Sequence, residues 1–390
     1  MRAEEMRTTS ATPIPLQKIC LSLEQDGQAQ SNLLALKQTW KAAVEKIKAE
    51  IPGISIESEG ETVYWRAISP GCAACKGGTW DCIFITSRCN LKCAFCYSPM
   101  DLPEDSPASI FGNTPEEICH NQDRTHITGV SFSGGEPFLE PRKLMEWVAW
   151  FKKRRPDQYI WVYTNGLLAD ARIVKELGRL GLDEIRVDTA ATGYTHPTVL
   201  RNLAAAAESI PNLTVEIPSI PDDAEKLFAS LPELCTCGVR YLNLHELIYE
   251  PGSLSWTMPG ERQEVILPDG HRTCIHPGSR ALTFAVIRKV AQEGLLLGVN
   301  DCSLQSKLLQ MRGRRRSLAP LNREPHEKLI GDETFESYCI YQNESNYRFV
   351  HPDDISLVRQ RHLDWRLVRL VRKIPLSLNG PKQWLSLEEC

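Results

Sequence analysis

Six short β-branched runs recur between residues 82 and 246: CIFITS (82–87), ITGVSFSG (127–134), YIWVYTNG (159–166), EIRVDTA (184–190), LTVEIPS (213–219) and VRYLNLHE (239–246). Between them lie helical patterns such as PRKLMEWVAWFKKRR, ADARIVKELGRLG, HPTVLRNLAAAAES and DAEKLFASLPEL. Strands that alternate with helices pair in parallel through right-handed crossovers. The runs are continuously apolar rather than alternating, so the sheet is expected to be buried on both faces, as in a barrel or partial barrel. In such folds the functional groups gather where strands end. The unusual residues stand there: Cys89 after the first run, SGGEP after the second, TNG after the third, Asp188 near the end of the fourth, Glu216 in the fifth, and His245 and Glu246 in the sixth.

The segment SRCNLKCAFCYSP puts Cys89, Cys93 and Cys96 on one loop in the spacing CxxxCxxC. A disulfide needs two thiols and a closed structural zinc site needs four ligands, so three imply either a fourth ligand elsewhere or a metal position left open. Thiolates are soft ligands suited to zinc or to iron–sulfur centres. A zinc site completed by Cys82 or a more distant residue is the structural alternative.

The CxxxCxxC loop has Phe95 just before its last cysteine and directly follows the first strand of a strand–helix series. Together with the turn Gly134, Gly135, Glu136, Pro137 after the second strand, it resembles the radical S-adenosylmethionine (SAM) superfamily over roughly residues 82–246. The resemblance implies an α/β fold: a partial (β/α)6 TIM-type barrel of the radical SAM type with N- and C-terminal extensions. It also implies a [4Fe-4S] cluster on Cys89, Cys93 and Cys96, with SAM bound at the open iron. Phe95 would lie beside the adenine, Gly134 and Gly135 would meet the methionine end of SAM, and Glu136 would pair with its amino group. Thr164, Asn165 and Asp188 would serve the ribose and carboxylate of SAM or the substrate, while His245 and Glu246 are the candidate catalytic pair.

The implied reaction is reductive cleavage of SAM to a 5'-deoxyadenosyl radical that takes hydrogen from a peptide, protein or small-molecule substrate. A flavodoxin- or ferredoxin-type protein would donate the electron. More narrowly, GCAACKGGTWDC, LNLHEL and VNDCSLQSKLLQMRGRR resemble a branch related to pyruvate formate-lyase activating enzyme, in whose downstream pattern Cys302, Lys307 and Gln310 fall. The other class to weigh is an iron–sulfur or zinc-binding regulatory or interaction protein on the same barrel, without turnover.

Cys72 and Cys75 form a CxxC that reads as an auxiliary cluster site, a redox pair or buried thiols. The 390 residues divide on this reading into an N-terminal helical extension (1–70), the core (71–255) and a C-terminal capping or substrate region (256–390). EPGSLSWTMPGERQ (250–263) is expected as the boundary into the last, where RGRRRS (312–317) reads as a solvated run or a partner for a phosphate or carboxylate, and DDISLVRQRHLDWRLVRLVRKI as one charged helix. Cys390 has a frayed terminus as its default. A net charge of −4 draws the chain to neither nucleic acid nor membrane, and no run approaches the roughly 18 apolar residues that span a bilayer, so the expected location is the cytoplasm.

Overall fold

The computed structural model describes residues 34–99, 108–267, 272–331, 333–343, 346–362, 364–376 and 383–389. Cys390 lies outside these. Residues 34–50 are helical, with Leu36, Val44 and Ile47 buried at helical spacing. Strands β1 (Ser55–Glu57) and β2 (Thr62–Trp65) follow, then a short helix, Pro70–Lys76. All six β-branched runs form strands: β3 (Trp80–Thr86), β4 (Gly129–Gly134), β5 (Tyr159–Thr164), β6 (Glu184–Val187), β7 (Asn212–Ser219) and β8 (Tyr241–Glu246). Beyond them come a small sheet of β9 (Ile248–Tyr249), β10 (Gln263–Ile266) and β11 (Arg272–Ile275), a helix Ser279–Gln292, and β12 (Gly298–Cys302).

The main sheet has the order β1-β2-β12-β8-β7-β6-β5-β4-β3. Strands β3 to β8 pair in parallel in sequence order, as expected, and β3 is left at one edge. The barrel is therefore open. Its parallel part does not stop at the expected boundary of 255, because β12 adds a seventh parallel strand beside β8, and β2 caps β12 in antiparallel pairing. Nor is the N-terminal region purely helical, since β1 and β2 complete this edge. The reason is visible at Arg280, fully buried, which donates to Asp301 Oδ2 (2.9 Å), Gln305 Oε1 (2.6 Å) and the Gly60 carbonyl (3.0 Å), tying the helix Ser279–Gln292 to β12 and to the turn before β2.

The chain divides into two compact units, one comprising residues 36–265 and 273–310 and the other residues 1–35, 266–272 and 311–390. The second unit contains an antiparallel sheet of β13 (Lys328–Ile330), β14 (Thr334–Asn343), β15 (Asn346–Val350), β16 (Arg366–Lys373) and β17 (Gln383–Glu389), in which β14 pairs with β13, β15 and β16, and β16 with β17. Here the single charged helix expected from residue 353 onward is corrected. Among the described residues, the stretch holds a 3-10 turn at Pro352–Asp354 and an α-helix at Ile355–Arg361, and RLVRLVRK is strand β16. Its apolar pairs, Leu367 with Val368 and Leu370 with Val371, repeat every three residues and imitate a helical period, but they are buried on both faces of a strand held between two partners. The RGRRRS run is corrected too: Arg314 and Arg315 are buried, and Arg315 donates to the Ile374 carbonyl.

Candidate active site

The cysteine loop leaves the end of β3 and is fastened by backbone. Gly135 N–H donates to the Thr86 carbonyl (2.8 Å) and Glu136 N–H to the Arg88 carbonyl (2.8 Å), so the GGEP turn after β4 runs alongside the start of the loop. A Cβ on Gly134 would stand 2.1 Å from the Thr86 oxygen, and one on Gly135 2.0 Å from the Arg88 oxygen. Gly134 also has φ of +121°, which only glycine adopts freely. The two glycines are thus required by the approach of the loop's own backbone. Farther along, Ser255 N–H donates to the Cys96 carbonyl (2.9 Å) and Pro99 bridges to Ser253. EPGSLS, expected as a boundary, is the other anchor of the loop.

Glu136 is 1% exposed and its carboxylate is occupied by the chain: Oε1 accepts from Phe138 N–H (3.0 Å) and Thr164 Oγ1 (2.8 Å), and Oε2 from Asn165 N–H (2.8 Å). It braces the ends of β4 and β5, with one bond on Oε2 and two on Oε1. Thr164 Oγ1 also accepts from Gly166 N–H (3.0 Å). Asn165 Nδ2 donates to Asn90 Oδ1 (2.7 Å), carrying the brace into the cysteine loop. Glu136, Thr164 and Asn165 line a cavity of about 450 Å³, as do Cys89, Cys96, Phe95, Gly134, Gly135, Asp188, His245 and Glu246, while Cys93 is outside its lining. Phe95 packs against Ile220, Leu247 and Tyr249.

The residues fit an iron–sulfur cluster. Burial pushes the Cys93 thiol up to about 12, with the charges of Asp188, Cys89 and Cys96 adding to it, so the three thiols are electrostatic neighbours that only a bound cation can hold ionised together. Among the described residues no three His, Cys, Asp or Glu side chains converge on a point that would hold one metal ion. A four-iron cube asks for something else, since each thiolate binds a different iron.

The opposite wall is made of charge. Arg186, 1% exposed, donates from Nε to Glu184 Oε1 (2.8 Å), from Nη1 to Glu216 Oε2 (2.6 Å) and from Nη2 to Ser69 Oγ (3.1 Å). Glu216 Oε1 lies 2.6 Å from His245 Nε2. Burial opposes the Glu216 charge, but Arg186 and His245 outweigh it and hold the carboxyl down to about 2. Asp188 has no such cation in contact. Burial raises it to about 7, although Ala191 N–H donates to it and His245 is near. Glu246 is likewise raised to about 7 by burial, with Leu304 N–H (2.7 Å) on Oε2 and no partner on Oε1.

Cys302, Lys307 and Gln310, singled out by the downstream pattern, also line the cavity, and so do Cys72 and Cys75. Arg186, Glu184 and Ser69 were not anticipated as site residues. The signal was present in EIRVDTA, where two opposite charges stand two residues apart in an apolar strand, a spacing that puts them on one face.

The chain is similar to several known proteins. The model of a 4Fe-4S single cluster domain matches residues 75–187. A Methanocaldococcus jannaschii protein named as a glycyl-radical enzyme activating enzyme is 25% identical over 291 residues, covering 71% of this chain and 75% of its own. The PqqA peptide cyclase of Gluconobacter oxydans is 34% identical over 103 residues, 26% of this chain and 28% of that protein. Among solved structures, Streptococcus suis SuiB bound to S-adenosylmethionine aligns with a TM-score of 0.44 at 13% identity, over 57% of this chain and 50% of that one.

Proposed function

We propose that this chain, a radical SAM enzyme, binds a [4Fe-4S] cluster through Cys89, Cys93 and Cys96 and seats its substrate against Asp188, Glu216, His245 and Glu246 on the opposite wall. The observation that carries this is one cavity that runs from the cysteine loop to those four residues. When bound, the cluster and SAM supply a 5'-deoxyadenosyl radical by one-electron cleavage of the sulfonium C–S bond.

The chain does the rest. Gly134 and Gly135 hold the loop against β4, Phe95 offers an apolar face, and Thr164 and Asn165 keep the turn in place through Glu136. Asp188 is an acceptor for sugar hydroxyls, and Glu246, raised to about 7, is a proton donor or acceptor near neutrality. His245 stands as an imidazolium between Glu216 and the substrate.

Relatives named as a glycyl-radical enzyme activating enzyme and a peptide cyclase favour a peptide or protein group as the hydrogen donor, while the size of the cavity suits a side chain or a small molecule. A flavodoxin- or ferredoxin-type protein is the proposed electron donor. The test is anaerobic reconstitution with iron and sulfide, then dithionite and SAM. Release of 5'-deoxyadenosine is expected. A brown, cluster-loaded protein that releases none would overturn the reading and favour a regulatory protein on the same fold.

A further inference from the structure

Beyond the cysteine loop, the cavity holds other thiols. Cys72 and Cys75 reach it from the helix Pro70–Lys76, Cys82 from β3, and Cys302 from the end of β12. Burial pushes Cys72 up to about 11 in spite of Arg186. It also pushes Cys75 well above the ordinary range, with the charges of Cys302 and Cys72 adding to it. Cys302 goes the other way: burial opposes its charge, but the charge of His245, and then those of Lys307 and Lys76, bring it down to about 7.

The geometry accounts for the difference. Cys302 and His245 are register partners on adjacent parallel strands, so their side chains lie side by side on the cavity face. His245 Nδ1 is buried with no hydrogen-bond partner, while Nε2 is held by Glu216, which is held by Arg186. A thiol beside an imidazole that a carboxylate orients is the arrangement of an activated nucleophile.

The ligand's character can be read from the same end of the cavity. Lys76 and Lys307 both act on Cys302. Lys76 Nζ donates to Ser306 Oγ (2.6 Å), and Lys307 Nζ sits 5.4 Å from the Tyr97 ring centre. Neither forms an ion pair with a carboxylate among the described residues. Asn300 Oδ1 and Glu246 Oε1 are buried without partners on the same lining. Two cations without a carboxylate partner favour an anionic ligand, and two buried acceptor oxygens call for a donor on it, such as the hydroxyl that addition to a carbonyl leaves.

We propose that Cys302, His245 and Glu216 form a nucleophilic centre that holds an anionic carbonyl compound, an aldehyde or ketone bearing a carboxylate, on the substrate side of the cavity. The Cys302 sulfur forms a bond to the carbonyl carbon, the π pair of the C=O bond moves to oxygen, and the His245 proton passes to that oxygen. The product is a thiohemiacetal. No group leaves, no electrons are gained or lost, and reversal frees the ligand. Lys76 and Lys307 face the carboxylate. The inference rests on the reading of this cavity as the substrate site.

The experiment uses anaerobically reconstituted holoenzyme, in which ligation protects the cluster thiols. Cys302 is alkylated with iodoacetamide and with iodoacetate between about pH 6 and pH 9 and located by peptide mass mapping. Expected are a midpoint near pH 7, a preference for the anionic reagent, and alkylation of Cys302 well ahead of Cys72 and Cys75. His245→Gln should slow the reaction at neutral pH by about tenfold, one pKa unit's worth. Lys307→Gln, at a half-buried site, should remove the preference for iodoacetate. Carbon-13-labelled glyoxylate should give a thiohemiacetal signal in the wild type and none in Cys302→Ser. A Cys302 that titrates like an ordinary thiol, or a glyoxylate signal that survives Cys302→Ser, overturns the proposal. Iron content and 5'-deoxyadenosine release, measured on the same preparation, report separately on the cluster.

Discussion

The wall that carries Cys89, Cys93 and Cys96 is held by backbone hydrogen bonds and two glycines, whereas the wall opposite is held by ionised side chains from adjacent strands. The first tolerates almost no change of residue, because a Cβ has nowhere to go. The second depends on the sum of its charges, with Arg186 balancing Glu184 and Glu216, and His245 balancing Glu216 and Cys302. One wall fixes the position of a cofactor, and the other sets proton affinities around a substrate.

The largest effect should come from Cys93→Ala on the first wall. It is expected to abolish cluster binding and 5'-deoxyadenosine formation together, while leaving the fold intact by circular dichroism. Cleavage that survived would break the assignment of the three thiols. On the second wall, Arg186→Met keeps the bulk and removes the cation. It strands Glu184 and Glu216 in the interior and should cost about 3–5 kcal/mol in a denaturation midpoint. Next is Gly135→Ala, whose methyl group meets the Arg88 carbonyl. A loss of about 3 kcal/mol is expected, with iron occupancy falling alongside it, because the same backbone holds the loop. Arg186→Met should leave iron binding nearly intact, and this contrast is what separates the two walls.

A smaller effect concerns pH. Glu246 and Asp188 are both raised to about 7 by burial, so the folded chain keeps protons that the unfolded chain releases above about pH 4, and these groups lower stability as pH rises from about 4 to 7. His245, raised to about 9 from 6.5, stabilises fully below pH 6.5, and that contribution is lost as pH rises through about 9. Glu216, held to about 2, stabilises above about pH 4.5, and its contribution is lost as pH falls toward 2. Glu246→Gln removes one of the two raised carboxyls. Its stability relative to wild type should therefore improve between pH 5 and pH 8; an unchanged difference would mean that Glu246 is not held neutral by burial. The smallest change is Thr164→Val, which deletes one hydroxyl of the Glu136 brace and should cost about 1 kcal/mol in thermal or chemical unfolding.

What could be read from the chain follows the same division. The strand–helix alternation announced the parallel sheet, because β-branched runs buried on both faces leave a plain record. CxxxCxxC with GGEP announced the cysteine loop, because close backbone approach admits few residue types. The extent of the sheet was hidden, since β12 is five residues long, carries Asn300, Asp301 and Cys302, and becomes a core strand only through Arg280 and its neighbour β8. Strand β16 was hidden by an apolar spacing that suits a helix equally well. Glu136 was legible as to place, but its bonds to Phe138, Thr164 and Asn165 were not, because a carboxylate near a cofactor site serves loop or ligand with the same chemistry.

By itself, then, the sequence determined the parallel α/β sheet, the thiol loop and the turn beside it, all of which arise from local spacing and steric demand. Only the tertiary structure decided that Glu216, His245 and Cys302, 86 positions apart from first to last, come together, the first two in a hydrogen bond and the last two as register partners on adjacent strands. Proton affinity depends on burial and on charges across strands, and no local spacing records either.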